Sequence, residues 1–155
     1  MLTKESRAEI ARLKREYPDP QSALLGALLL AQKDYGGWLP DRAFDEVAAV
    51  MELPPTLVAS VATFYTMLYR RPVGRHVIHV CTNISCSLLG AEDLVEYVSR
   101  KLGVSPGETT PDGRITLLEV ECLGLCGTAP ALQLGDRVYD NLTEEKVDQI
   151  LAGLT

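Results

Sequence analysis

The residues of this chain best suited to chemistry are its four cysteines, and they come in two pairs. Cys81 and Cys86 form a C-x4-C pair, Cys122 and Cys126 a C-x3-C pair, and no other cysteine occurs. In a reducing compartment such a cluster is more often a metal or redox site than a disulfide frame. Four thiolates can hold a 2Fe-2S cluster or a single tetrahedral zinc, and spacing alone leaves both open, together with free or disulfide-linked thiols. Ile84, Leu88, Leu89, Leu123 and Leu125 place bulky apolar groups around the cysteines. They predict a dry pocket of the kind that helps set a reduction potential. Ser85, Gly90, Gly124 and Gly127 leave room for backbone amides to approach sulfur. With neither C-x-x-C nor a Trp-Cys pair present, thiol-disulfide exchange is poorly supported.

Other side chains compete less well for a chemical role. His76 and His79 fall on a β-rich run, with His79 on the same face as Cys81, so a mixed Cys/His site is conceivable; four cysteines already complete a ligand set. Glu119 and Glu121, two apart, are expected on one strand face, but no nucleophile accompanies them, and edge solvation or a partner contact explains them. Tyr35 and Trp38 flank a glycine pair and are expected as core aromatics closing a helical bundle. The stretch from Phe44 to Tyr65 reads as two short helices around Leu53-Pro54-Pro55, a pattern that also fits a helix-turn-helix redox regulator. Its second helix has no Lys or Arg for phosphate or guanine contacts, which argues against DNA.

Composition sets the outer limits. At 155 residues, with 46% hydrophobic residues, the chain has the size and make-up of one packed domain or two very small ones. A net charge of −6 without a basic patch disfavours nucleic acid. The longest apolar run, Ala23 to Ala31, is far shorter than the ~20 residues that cross a bilayer, so no direct membrane insertion is expected. The first residues mix Lys and Arg with Glu5, Glu9 and Glu16, unlike a secretory or transit signal, and a cytoplasmic protein is expected.

The elements that must position the cysteines can be read from periodicity. Ser6 with Glu9 fits a capping box for a first helix carrying Ile10, Leu13 and Tyr17, stopped by Pro18-Asp19-Pro20. A second helix over about 21–35 is apolar nearly all round, predicting that neighbours wrap it. Asp41 can cap a third helix, and a fourth follows Pro55 with Val58, Val61, Ala62 and Tyr65. The period then changes. Strand-like runs over 75–81 and 115–120 enclose a helix with Leu94, Val95, Val98 and Leu102, which predicts parallel neighbouring strands. Gly135-Asp136 between 131–134 and 137–139 fits a hairpin, and Thr143 caps a last helix with Val147, Ile150, Leu151 and Leu154. Each cysteine pair directly follows one of the two parallel strands, so both loops leave the same sheet edge and the four sulfurs are expected to converge. The fold class is α+β: a helical bundle over 1–72, then a small α/β domain with a mixed sheet over 73–155. The order β-α-β-β-β-α, with Pro130 leading into the third strand, resembles thioredoxin-like folds.

At this point the sequence also resembles a known family. Gly37-Trp38-Leu39, Ala62-Thr63-Phe64-Tyr65, Pro72-Val73-Gly74-Arg75, CTNISCSLLGA from Cys81 to Ala91 and ECLGLCGTAP from Glu121 to Pro130 are similar to the E-type 2Fe-2S subunit family of NADH:quinone oxidoreductase, complex I, which includes the mitochondrial 24 kDa subunit. The likeness runs from about residue 10 to 152. It implies a helical bundle followed by a thioredoxin-like ferredoxin domain, with Cys81, Cys86, Cys122 and Cys126 as ligands of one 2Fe-2S cluster. It further implies an electron-transfer subunit of an NADH dehydrogenase, not catalytic alone. FMN and NADH are expected on a flavin-bearing partner subunit, in the peripheral arm of a membrane complex. Soluble NAD-linked hydrogenases and formate dehydrogenases contain equivalent subunits. Leu125 departs from the small residue usual between Gly124 and Cys126 in that family, so packing or partner contact beside the cluster is expected to differ.

Overall fold

A computed structural model describes residues 1–154; Thr155, the last residue of the expected second domain, lies outside the described residues. The chain divides into two compact units, one covering Met1–Pro72 and a second beginning at Val73.

The first unit consists of α1 (Lys4–Glu16), a 3-10 turn (Pro20–Ala23), α2 (Leu24–Asp34), α3 (Asp41–Met51) and α4 (Pro55–Phe64). α1 begins earlier than the expected Ser6 cap: the Thr3 hydroxyl accepts the Ser6 N–H at 3.1 Å, and Glu9 pairs instead with Arg12. The reason is long-range, because Thr3 is itself held by Asp34, to which its N–H and hydroxyl donate at 2.8 and 3.0 Å. The second helix, by contrast, starts late. Asp19 accepts the Gln21 N–H, Pro20 occupies the first position, and the chain makes one 3-10 turn before α2. Asp41 is the first residue of α3, not its cap, which is Pro40.

Ile10, Leu24, Leu28, Leu39, Val47, Met51 and Val58 are fully buried and form the core of this unit. α2 is not wrapped all round, since Leu29 is 41% exposed; the bundle has too few helices to cover every side of it. Tyr35 and Trp38 are half-buried, not core. Tyr35 keeps its hydroxyl on Glu46 at 2.7 Å and receives the Arg42 guanidinium over its ring, so its polar edge faces outward. Glu46 also accepts the Leu2 N–H and the Arg7 guanidinium, each at 2.8 Å. Burial opposes its ionised form, but these donors and the nearby Arg7 charge outweigh it and hold the carboxyl below its ordinary pKa.

The second unit consists of β1 (His76–Cys81), α5 (Ile84–Leu88), α6 (Ala91–Leu102), β2 (Ile115–Val120), a 3-10 turn (Cys126–Thr128), β3 (Leu132–Leu134), β4 (Arg137–Tyr139) and α7 (Glu144–Ala152). The sheet order is β2-β1-β3-β4. β1 and β2 run parallel, His76 opposite Ile115 and Cys81 opposite Val120, while β3 is antiparallel to both β1 and β4. The expected parallel pair and the Gly135-Asp136 hairpin are both present.

Alternation sends Ile78 and Val80 of β1, with Ile115 and Leu117 of β2, to one face, where they pack with Leu94, Val95 and Val98 of α6. α7 buries Val147 completely and Ile150 and Leu151 only in part; it ends at Ala152, before the expected Leu154, which still packs in part against the same core. Gly74 leads into β1 at a point where a Cβ would stand 2.8 Å from backbone atoms of Arg114 and Ile115. The missing side chain lets its N–H reach Thr116 Oγ1 at 2.6 Å.

Candidate metal centre

Both cysteine loops leave the sheet at the carboxyl ends of β1 and β2. Cys81 is the last residue of β1. Its N–H donates to Ala131 O and the following Thr82 N–H to Val120 O, each at 3.0 Å, so the Cys81 backbone is clamped between the β2 end and the approach to β3. The chain then turns into α5, whose first amide, on Ile84, donates to the Asn83 side chain at 2.9 Å. Cys86 sits in α5 and is buried with Cys81 among Ala91, Ala129 and Ala131, against Val120, Leu123 and Leu125. The Ala129–Pro130 peptide bond is cis.

The second loop is more open. Cys122 lies two residues beyond β2, and Gly124, at φ +76°, takes a left-handed conformation that brings its N–H to Cys122 Sγ at 3.3 Å. Cys126 opens the 3-10 turn, which packs against α5. Cys122 and Cys126 are both exposed, and all four cysteines are free thiols.

The electrostatics join the two loops. Burial pushes the Cys86 thiol up, and a hydrogen bond with Cys81 and electrostatic interaction with Cys81 and Cys126 push the same way, against the Ala131 N–H. Cys81 and Cys86 of the first loop and Cys126 of the second are therefore close enough to influence one another. Cys81 Sγ also donates to Glu121 O at 3.9 Å, and the Gly124 amide donates to Cys122 Sγ. Among the described residues, no group of three or more His, Cys, Asp or Glu could hold a single metal ion. The soft, all-sulfur donor set, split between two loops and supplied with amide donors, fits an iron-sulfur cluster in its chemistry.

Two expectations about the surroundings need correction. Ile84, Leu88 and Leu89 do not line a dry pocket; they are 71%, 81% and 60% exposed, and only Leu123 and Leu125 pack against the cysteines. The spacing shows why: on a helix Ile84 and Leu88, four apart, share a face, and Cys86 between them points to the opposite side. The short α5 is too brief to show a period, and Asn83 before Ile84, an acceptable start signal, is its one local mark. Glu121 lies beyond the end of β2, so the same-face relation with Glu119 does not apply, and both side chains are exposed. His79 lies in β1 opposite Leu118 and Gln133, and burial holds its imidazole below the ordinary pKa.

A mixed four-stranded sheet with helices against one face and two cysteine loops at one edge defines a thioredoxin-like ferredoxin. The chain belongs to the thioredoxin-like [2Fe-2S] ferredoxin family, whose model matches residues 10–155. It is 43% identical over 145 residues to an E-type subunit of the NADH-quinone oxidoreductase of Rhizobium meliloti, covering 94% of this chain and 86% of that protein. With the E-type subunit of the NADH-quinone oxidoreductase of Pseudomonas aeruginosa it shares 40% identity over 151 residues, covering 97% and 90%. These relatives are subunits of an oxidoreductase. The crystal structure of an NAD+-reducing [NiFe]-hydrogenase in the air-oxidized state superposes with a TM-score of 0.72 at 26% identity. That match covers 84% of this chain, which spans 22% of the hydrogenase chain's length.

Proposed function

We propose that this chain is the electron-transfer subunit of an NADH:quinone oxidoreductase, with one 2Fe-2S cluster held by Cys81, Cys86, Cys122 and Cys126. The observation that carries this is the convergence of two cysteine loops from the carboxyl ends of adjacent parallel strands, in a family defined by that cluster. When bound, a 2Fe-2S cluster would supply one-electron transfer. Everything else is the work of the chain. Cys81 and Cys86 would hold the cluster from an alanine-lined pocket and Cys122 and Cys126 from the exposed second loop, with the Gly124 and Ala131 amides directed at sulfur. Because Cys122 and Cys126 are exposed, a partner could approach the cluster from that side. The electron donor is the flavin of an NADH-binding partner subunit, and the assembly belongs to the peripheral arm of a membrane complex. No described helix is long and apolar enough to cross a membrane. The hydrogenase superposition favours a second reading, the equivalent subunit of an NAD-linked hydrogenase. The higher identity to quinone-reductase subunits ranks it second.

Anaerobic purification is the test. The protein should be brown, contain about two irons and two labile sulfides per chain, and give a one-electron paramagnetic signal on reduction. A colourless protein with one zinc would replace this reading by a structural metal site.

A further inference from the structure

From Leu53 to Ala91 the chain carries no Asp, Glu or Lys, although it has 21 acidic residues in all; its charged residues there are Arg70, Arg71 and Arg75. α4 ends within this stretch, and the residues that follow leave a contiguous apolar surface uncovered. Phe64 is 77% exposed, Met67 47% and Tyr65 37%.

These side chains are not on a loose loop. Leu68 is buried, its N–H donates to Tyr65 O at 3.0 Å, and Gln32 grips the turn from both sides, donating to Met67 O at 3.1 Å and accepting the Tyr69 N–H at 2.7 Å. The Phe64 and Tyr65 rings meet edge to face with centroids 5.1 Å apart, so they form one preset apolar surface. Arg70 and Arg71 beside them are exposed and form no salt bridge among the described residues. Aromatic residues, Met and Arg are enriched at protein interfaces, whereas Lys, Glu and Asp are depleted. This stretch has that composition in a chain that is otherwise acidic.

We infer that Phe64, Tyr65 and Met67 are the anchor by which the helical unit docks on a partner protein, in an apolar pocket whose rim carries Asp or Glu carboxylates that receive Arg70 and Arg71. A pre-organised aromatic pair fits the role of a buried hot spot, because little side-chain freedom is lost on binding. A second copy of the chain is a poor occupant: a two-fold interface through this patch would oppose arginines to arginines with no acid in reach on the segment. Two arginines beside aromatics also do not make the cationic track that a phosphate backbone needs. The inference rests on the subunit reading above and adds the surface that would make the contact.

The test uses the full-length chain with its cluster and the flavin-bearing, NADH-binding subunit of its own complex, with affinity measured over a salt series. Variants are Phe64→Ala and the double charge reversal Arg70→Glu with Arg71→Glu. Iron content and melting temperature should match the parent chain, because all three positions are exposed. Each variant should weaken binding about tenfold or more, and the charge reversal should also flatten the salt dependence. If the parent chain binds and both variants bind equally well, the anchor is overturned while the subunit reading stands. If the parent chain does not bind, both are overturned. A chain that dimerises alone and turns monomeric on Phe64→Ala would assign the patch to a second copy and overturn the proposed partner.

Discussion

Each cysteine has its own surroundings, and replacing it by Ala should report them separately. Loss of Cys81, Cys86, Cys122 or Cys126 should reduce iron from about two per chain to well below one or convert the cluster, read by visible absorption and metal analysis. His79→Ala should leave the cluster spectrum intact; bleaching by that variant, with a normal spectrum in any Cys variant, would refute the ligand set. The metal-free proteins should differ as well. Cys81 and Cys86 fill a packed pocket of alanines, and their truncation should cost about 1 kcal/mol of stability. Cys122 and Cys126 are exposed, and theirs should stay within about 0.5 kcal/mol.

At the scale of elements, the N-terminal segment is tied to the bundle by one carboxylate. Glu46 of α3 accepts from the Leu2 amide, Arg7 of α1 and the Tyr35 hydroxyl just past α2, so three parts of the unit converge on it. Glu46→Ala leaves those donors without their acceptor and should destabilise the protein by about 1–3 kcal/mol, measured as a lower urea midpoint at pH 7. The sign of the pH dependence follows from a folded-state pKa held below the ordinary value. The contribution is fully present above the unfolded carboxyl pKa of about 4.3 and is lost as pH falls through the lower folded value. A midpoint difference between parent and variant that persists unchanged to about pH 2 would contradict this role.

For the molecule as a whole, a helical unit with no ligand of its own is best explained as a docking element. The chain should form a stable complex with the flavin-bearing subunit through its N-terminal helices and the surface around Leu125, burying more than about 1,000 Å². A version beginning at Pro72 should bind that subunit at least about tenfold more weakly than the full chain, in side-by-side pull-downs. Equal binding would place the whole interface on the cluster-bearing unit and favour a free-standing ferredoxin.

Much of this protein was decided by local pattern. The two β runs with a helix between them, the hairpin at Gly135-Asp136, the Thr143 cap and the placement of each cysteine pair after a parallel strand were all legible, because period, turn chemistry and capping act over a few residues. The tertiary structure decided what depends on distant partners. α1 starts at Thr3 and not at Ser6 because Asp34, in another helix, holds that threonine. Tyr35 is half-exposed because Glu46 and Arg42 claim its edge. The leucines near Cys86 face outward because a five-residue helix turns them away from the sulfur, and no hydropathy pattern distinguishes a leucine that seals a pocket from one that waits at a surface. The unequal burial of the four thiols was equally invisible, since it arises from which loop Ala91, Ala129 and Ala131 pack against after the sheet has formed.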